Sequence, residues 1–589
     1  MVMEQVAPAS AEEDRLYRKR HSAAHILAQA VLELFPEAKL GIGPPIDTGF
    51  YYDFLLPPGH PTPEELERIE ARMREVVAAD VEFREWQVPK EEARRLFAAQ
   101  PFKLELIDSF AGETVGLARH DAFTDLCAGR HVRRSSEVGE AFKLMNVAGA
   151  YWRGDEHNPM LTRIYGALFE TRRELEGYLK RLEEARQRDH RRLGRELGLF
   201  TFADDVGPGI PLLLPKGEVV KHVWEEFIRE LQTQHGYQHV WTGNIVKEEL
   251  YRKSGHLEAY ADVMFPPMMD EDGPVFRLKP MNCPSHMALY NTQLHSYREL
   301  PVRYAEFATL YRYERSGQLS GLTRVRALTQ DDCHIFCTPE QVEEEFGRAL
   351  ALIREALRVF GITDYRVRLS LRGEDDGGKY IGDPEQWAAA TAALRAALDA
   401  HGVEYFAAEG EAAIYGPKAD FIAQDVLGRD WQISTIQVDF VQPARLGCEY
   451  VAEDGSRRTP VVLHRAVTGS FERFFALLIE HYNGAFPLWL APVQAVVIPI
   501  ADRHNEFAAS VARRLRAARL RVEVDTRSER MNAKIRDAQL QKVPYMLVVG
   551  DREVEADAVN VRLRSGESLG AMSVDAVRSR LLDEVSRRV

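Results

Sequence analysis

The segment Phe307–Thr338, FATLYRYERSGQLSGLTRVRALTQDDCHIFCT, constrains the fold more than any other part of this chain. A run of strand formers leads into a polar loop containing Gly317 and Gly321, and a second β-rich run returns. Alternate residues of a strand share a face. Arg312 and Glu314 are therefore expected on one side of the outgoing strand. Gln330, Asp332 and His334 are expected on one side of the return strand, with Cys333 opposite. Adding Arg324 gathers two arginines, two carboxylates and a histidine around one sheet surface. Arginine forks suit phosphate oxygens, and carboxylates suit Mg²⁺ or an amino group. An ion-paired sheet face would use the same residues. Further on, HRAVTGSFERFFALLIEHY (His464–Tyr482) reads as a strand, a glycine turn and a helix, with Arg473 in the helix's first turns. The chain has no G-x-x-x-x-G-K-[ST] and no strand–GxGxxG–helix unit, so a nucleotide would be held by neither a P-loop nor a dinucleotide fold.

The remaining chain is read as a multidomain protein of mixed α/β and α+β class. Its 589 residues allow three or four domains. With 45% apolar and 28% charged residues, the composition is that of a soluble globular protein. No apolar run approaches the ~18–20 residues that span a bilayer. The N-terminus lacks the basic-then-apolar order of a secretion signal, so no membrane partner is expected. Five scattered cysteines form no disulfide framework, which points to the reducing cytoplasm. Net charge is −14, yet residues 491–589 carry 18 Lys/Arg against 14 Asp/Glu, or +4. A locally basic tail domain on an acidic protein permits a nucleic-acid partner.

Residues 1–14 read as a disordered tail, and residues 15–168 as an α+β domain that opens with an amphipathic helix. From Phe169 to Leu197 a single charged helix is expected as a connector, occupying 169–199. Residues 200–488 alternate helices and strands. Residues 489–589, after the proline-bracketed FPLWLAPVQ, read as a small α/β domain of order β-α-β-α-β-β.

The arginine-x-glutamate strand, its loop and the later glycine–x–x–Glu–Arg helix resemble motifs 2 and 3 of class II aminoacyl-tRNA synthetases. Longer runs are similar to the threonyl-tRNA synthetase family within that class: KPMNCPSH (Lys279–His286), RVRALTQDDCHIFCT, AIYGPKADF (Ala413–Phe421), STIQVDF (Ser434–Phe440) and PVVLHRAVTGSFERF (Pro460–Phe474). The match extends from His21 onward in the family's domain order. It implies an N-terminal editing domain, a class II antiparallel-sheet catalytic core and a C-terminal anticodon-binding domain. It also implies ATP-dependent activation of L-threonine, transfer to tRNA(Thr) and hydrolysis of mischarged Ser-tRNA(Thr).

The resemblance implies one zinc ion per subunit on Cys283, His334 and His464. Gaps of 51 and 130 residues would never show this, and Cys333 with Cys337 have more suggestive local spacing. By the same resemblance, Arg312 meets the α-phosphate of ATP, Arg324 the γ-phosphate, and Arg473 the adenine face and phosphates, with Mg²⁺ accompanying the nucleotide. Glu314 meets the adenine amino group. Gln432, Thr435, Gln437 and Ser470 line the ATP and aminoacyl pocket. Met281, Gln330, Asp332 and Tyr415 surround threonine, and His256 assists transfer. Gln432 has the wrong strand parity relative to Thr435 and Gln437, so a backbone irregularity is expected between them.

His21 and His25 lie four apart on one helix face, and TDLCAGRH supplies Asp125, Cys127 and His131. On residues alone this set favours a metal site. The resemblance instead implies a metal-free editing centre, with Lys103 as a further member. Ala118, Ala128 and Arg130 depart from the family pattern there, as do Asn244 at the dimer motif, Tyr313, Arg315 and Ser320 in the motif 2 loop, and Ser528 near the anticodon-reading Glu553 and Arg562. The family's small ubiquitin-like domain is not expected ahead of the first helix. A homodimer is expected by family. The rival reading is a diverged paralogue, serving as a tRNA-binding regulator or as an inhibitor-tolerant second copy with weakened editing. A binding-only copy need not keep the ATP and zinc groups, which are present here.

Overall fold

The computed structural model describes residues 11–588 except 156, 270–272, 374–379 and 426–427. The chain divides into two compact units, Met1–Glu183 and Glu184–Val589.

In the first unit the helix Ala11–Leu34 buries Ala24, Ile26, Leu27, Ala30 and Val31 in its core. Residues 11–14 are therefore helical rather than part of a disordered tail, with Glu12, Glu13 and Asp14 favourably placed in the first turn. Residues 1–10 of the expected tail lie outside the described residues. One sheet runs Lys39–Leu40, Gly49–Leu55, Met160–Leu168, Phe142–Tyr151, with Pro45–Ile46 paired to Gly49–Leu55. A second, three-stranded sheet joins Arg84–Pro89, Thr114–His120 and Phe123–Leu126.

The expected single helix from Phe169 to Leu197 is two helices, Arg172–Arg188 and His190–Glu196. Asp189 breaks it, leaving helical backbone (ψ 122°) and capping the second helix by accepting from Arg191 N. The second helix is also no solvated connector. His190, Leu193 and Leu197 are buried, and His190 Nδ1 meets Glu480 Oε1 at 2.7 Å.

The second unit is built on an eight-stranded sheet in the order Gln238–His239, Val302–Tyr311, Ala327–Cys337, Val461–Ser470, Asp430–Asp439, Lys418–Gln424, Tyr365–Leu371, Tyr405–Glu409. The six central strands are antiparallel, and each edge strand is parallel to its neighbour. Helices Pro215–Gln234, Val342–Val359 and Phe471–His481 contribute apolar stripes to the main core on one face. Strand alternation sends Cys333, Ile335 and Cys337 into that core and turns Asp332 and His334 toward the other face. The outgoing strand ends at Tyr311, so Arg312 and Glu314 lie in the following loop rather than on the strand. Tyr313 N donates to Val263 O and Arg326 Nε to Glu314 O, contacts outside the sheet ladder that hold this loop.

The last hundred residues form a five-stranded sheet in the order Val522–Val524, Ala495–Pro499, Tyr545–Val549, Ala558–Leu563, Ser568–Ser573. The first three strands are parallel and the last two antiparallel. The helix Val574–Arg587, which the β-α-β-α-β-β reading omits, closes this core through Val577 and Leu581.

Candidate active site and an N-terminal histidine cluster

Cys283 opens a short helix, Cys283–Tyr290, while His334 and His464 face each other as paired residues on neighbouring strands. One ligand atom of each of these three buried residues lies within 4.8 Å of the others. His464 Nε2 is engaged by Asp439 Oδ2 at 2.8 Å, and His334 Nδ1 by His286 Nδ1 at 2.8 Å. That leaves Nδ1 of His464 and Nε2 of His334 for a cation. Burial pushes the Cys283 thiol well above its ordinary range, a cost that a bound cation would reverse. A soft thiolate with two imidazoles suits zinc and leaves a fourth position open. His256, fully buried, lies with Nε2 3.6 Å from Cys283 Sγ and Nδ1 2.8 Å from Ser254 Oγ.

The triad opens on a cavity of about 210 Å³. Met281, Gln330, Asp332 and Tyr415 line it, together with Arg312, Thr435 and Gln437. Burial pushes the Asp332 carboxyl up to about 7 in the protein alone, so a cationic partner there would be strongly favoured. Tyr415 OH donates to Gln437 Oε1 at 2.8 Å.

Arg473 and Gln432 line a second cavity beside Trp431. The expected irregularity is present. Phe421 pairs with Ser434 but Ile422 with Gln432, so Ile433 bulges and Gln432 regains its face. Gln432 Nε2 and Thr435 Oγ1 both donate to Asp420 Oδ1, at 2.8 and 2.9 Å. Ser470 caps the helix that carries Arg473, and Arg473 Nε donates to Thr323 O at 3.2 Å. Glu314 and Arg324 line neither cavity. They form an ion pair, Arg324 Nη2 to Glu314 Oε2 at 2.8 Å.

In the N-terminal unit His21, His25, Cys127 and His131 each place one ligand-type atom within 4.8 Å of the others. Cys127 Sγ is 3.1 Å from His131 Nε2 and 3.6 Å from His21 Nε2. Lys103 and Asp125 form a buried ion pair at 2.5 Å. Tyr52, which sequence reasoning missed, joins them: its hydroxyl donates to Asp125 Oδ2 at 2.5 Å and accepts from Lys103 Nζ at 2.9 Å. Burial lowers His21 to about 4, holds His25 and His131 well below the usual imidazole range and raises the Cys127 thiol to about 12. The cluster is thus neutral imidazoles and thiol beside one buried ion pair.

In the C-terminal region Glu553 and Arg562 fall on successive elements, the helix Asp551–Glu555 and the strand Ala558–Leu563. Glu553 Oε2 accepts from Gly550 N at 2.9 Å, capping its own helix.

Three family models match the chain. The tRNA synthetase class II core domain (G, H, P, S and T) covers residues 267–482, an anticodon binding domain covers 494–584, and the threonyl and alanyl tRNA synthetase second additional domain covers 115–165. With the antiparallel sheet, the arginine-bearing loop at one cavity and the arginine-bearing helix at the other, these matches define a class II aminoacyl-tRNA synthetase. The chain is 64% identical to the threonine–tRNA ligase of Rubrobacter xylanophilus over 97% of its own length and 89% of that protein. It is 52% identical to the enzyme of the same name from Dehalococcoides mccartyi, over 97% of this chain and 96% of that one. Among solved structures, the RNA binding domain of threonyl-tRNA synthetase from Cryptosporidium parvum superposes with a TM-score of 0.64 at 38% identity, covering 67% of this chain and 98% of that one. The chain belongs to the threonine–tRNA ligase family.

Proposed function

We propose that the protein charges tRNA(Thr) with L-threonine at the catalytic sheet and clears Ser-tRNA(Thr) at the N-terminal cluster. The observation that carries this reading is the buried Cys283–His334–His464 triad opening on a cavity that also holds Asp332 and Arg312. Zinc held by Cys283, His334 and His464 would supply a Lewis acid within reach of the amine and hydroxyl of threonine. Asp332, Gln330 and Tyr415 surround the amino group, and Met281 covers the side chain. Arg312, Arg324 and Arg473 hold the phosphates of Mg²⁺-ATP, with Arg324 exchanging its Glu314 partner for phosphate as Glu314 turns to the adenine amine. Gln432, Thr435, Gln437 and Ser470 line the nucleotide and aminoacyl pocket. The threonine carboxylate attacks the α-phosphorus in line. A carboxyl O–P bond forms, the P–O bond to pyrophosphate breaks, and the arginines stabilise the developing charge. The tRNA 3′-hydroxyl then displaces AMP.

A site built to use a hydroxyl rejects valine by about 10⁴–10⁵. Serine keeps the hydroxyl and lacks one methyl, worth only about 1–3 kcal/mol, so a second, hydrolytic site is required. Neutral His21, His25 and His131 with Cys127 would position and deprotonate water there, anchored by Lys103, Asp125 and Tyr52. We assign residues 15–168 to editing, 200–488 to catalysis and 489–589, with Glu553 and Arg562, to anticodon binding. A homodimer is supported by Trp241 and Ile245, 79% and 53% exposed beside the paired strands Ile245–Lys247 and Phe276–Leu278. No helix among the described residues is long and apolar enough to cross a membrane, in keeping with work in the cytoplasm.

The test is amino-acid-dependent pyrophosphate exchange followed by charging of total tRNA, with metal content measured on the same sample. Threonine should drive exchange and valine should not. Equal exchange with valine, or none with threonine, overturns the reading.

A further inference from the structure

The metal triad accounts for one nitrogen of each histidine, and the other nitrogen of His334 leads into a buried chain. His334 Nδ1 lies 2.8 Å from His286 Nδ1, and His286 Nε2 lies 3.1 Å from Glu306 Oε2. His286 and His334 are essentially solvent-free, and Glu306 is buried. Glu306 also accepts from Thr242 N at 2.9 Å and from Asn282 Nδ2 at 2.9 Å. Lys279 Nζ donates to Asn282 Oδ1 at 2.9 Å, which fixes the orientation of that amide.

Only one arrangement of protons satisfies this chain while leaving His334 able to bind a cation. Its Nε2 must carry the lone pair, so Nδ1 carries the hydrogen and donates. His286 Nδ1 must then accept, which puts the second hydrogen on Nε2, facing a carboxylate oxygen that can only accept. Asn282 Nδ2 and His286 Nε2, 2.9 Å apart, then join Thr242 Oγ1 as three donors converging on Glu306 Oε2.

We propose that His286, together with Glu306, is a positioning residue for the metal centre. It locks His334 in the Nδ1–H form and orients its ring toward Cys283 and His464. Asp439 does the same for His464 by a direct carboxylate contact. For His334 the nearby carboxylate, Asp332 Oδ2, lies 4.0 Å from Nδ1, beyond hydrogen-bond reach, and the ring is served at one remove, through a second imidazole. This inference rests on the reading that the triad binds zinc.

The test compares His286→Gln, His286→Met and Glu306→Gln with the parent. Glutamine offers an acceptor toward His334 and a donor toward Glu306, whereas methionine fills space without either. The readouts are zinc bound per chain, the rate of zinc release to a colorimetric chelator, the visible spectrum of the cobalt-substituted protein, and KM for threonine and for ATP. His286→Met should release zinc about 10–100-fold faster, shift the cobalt spectrum and raise the threonine KM, with the ATP KM unmoved. His286→Gln should recover much of the loss, and Glu306→Gln should fall between. If the glutamine and methionine variants lose zinc equally fast, His286 acts by packing alone and the proposal fails. Release at the parental rate from His286→Met and Glu306→Gln also sinks it. A parent protein that binds no stoichiometric zinc overturns the metal reading itself, and with it this one. Thermal unfolding of each variant identifies one that has simply failed to fold, in which case Glu306→Gln decides.

Discussion

At the residue scale the N-terminal cluster carries a pH signature. Burial opposes the imidazolium form of His21 and sets it near 4 instead of its ordinary 6.5. The neutral ring is the form that accepts a proton from water. Hydrolysis of Ser-tRNA should therefore hold level from about pH 8 to about pH 5 and fall only below that. A rate that halves near the ordinary imidazole value would mean that His21 is not the group working as base. The linkage to stability has the same sign. The unfolded chain protonates this histidine first, so its contribution to stability is lost as pH falls from about 6.5 toward 4. His21→Ala should lower the hydrolysis rate by about 10²–10⁴ at neutral pH, with threonine activation unchanged. Local spacing made two pairs legible, His21 with His25 and Cys127 with His131, and the fold brings them together across the intervening chain. Tyr52 was not legible, because GFYYDF offers two adjacent tyrosines and only the packed structure says which faces inward. His286 left a weaker trace: it lies three residues after Cys283, on one face of a helix.

Two departures from regular pairing shape the catalytic face at the scale of elements. One is the bulge at Ile433, which strand parity required in advance. The other is signalled only by the glycine turn at Gly469, whose φ is +66°. Gln330 pairs with Ser470 while Asp332 pairs with Ala466, so Val467–Gly469 loop out between them. The carboxylate of Asp331, fully buried, accepts from Val467 N, Thr468 N and Thr468 Oγ1, each at 2.7 Å. Arg465, also fully buried, lies 3.5 Å away. This clamp seats the strand end from which Ser470 and Arg473 follow. Asp331→Ala should destabilise the second unit by about 3–5 kcal/mol, since it strips three donors of their acceptor and leaves Arg465 without its counter-charge. Urea unfolding measures this, and a loss below about 1 kcal/mol would show that the clamp is dispensable. Arg312 and Glu314 were misplaced on a strand because period-two reading cannot tell where a ladder stops and loop contacts take over.

On the scale of the whole molecule, the two clusters make opposite predictions for metal removal. Chelation should abolish threonine-dependent pyrophosphate exchange and leave Ser-tRNA hydrolysis intact. Loss of both together would return the N-terminal cluster to the metal reading that its residues first suggested. The proposed homodimer predicts that Trp241→Arg lowers the mass seen in analytical ultracentrifugation to that of a monomer, because a charge would replace a large exposed apolar group, and a parent that already sediments as a monomer overturns it. The order of domains was legible through the family resemblance of the motif runs, with periodicity marking only where one segment gives way to the next. The packed role of residues 190–197 was hidden by their charge: three arginines and a glutamate in HRRLGRE disguise a face that buries His190, Leu193 and Gly194.

That buried histidine has an evolutionary corollary. Its Nε2 accepts the Leu322 amide at 3.1 Å, and Gly321, at φ +49°, packs against it so closely that a Cβ there would fall 2.3 Å from the ring. Positions 190 and 321 are thus a lock and its keyhole. Where natural drift adds a side chain at 321, descent should retain only lineages in which position 190 has shrunk.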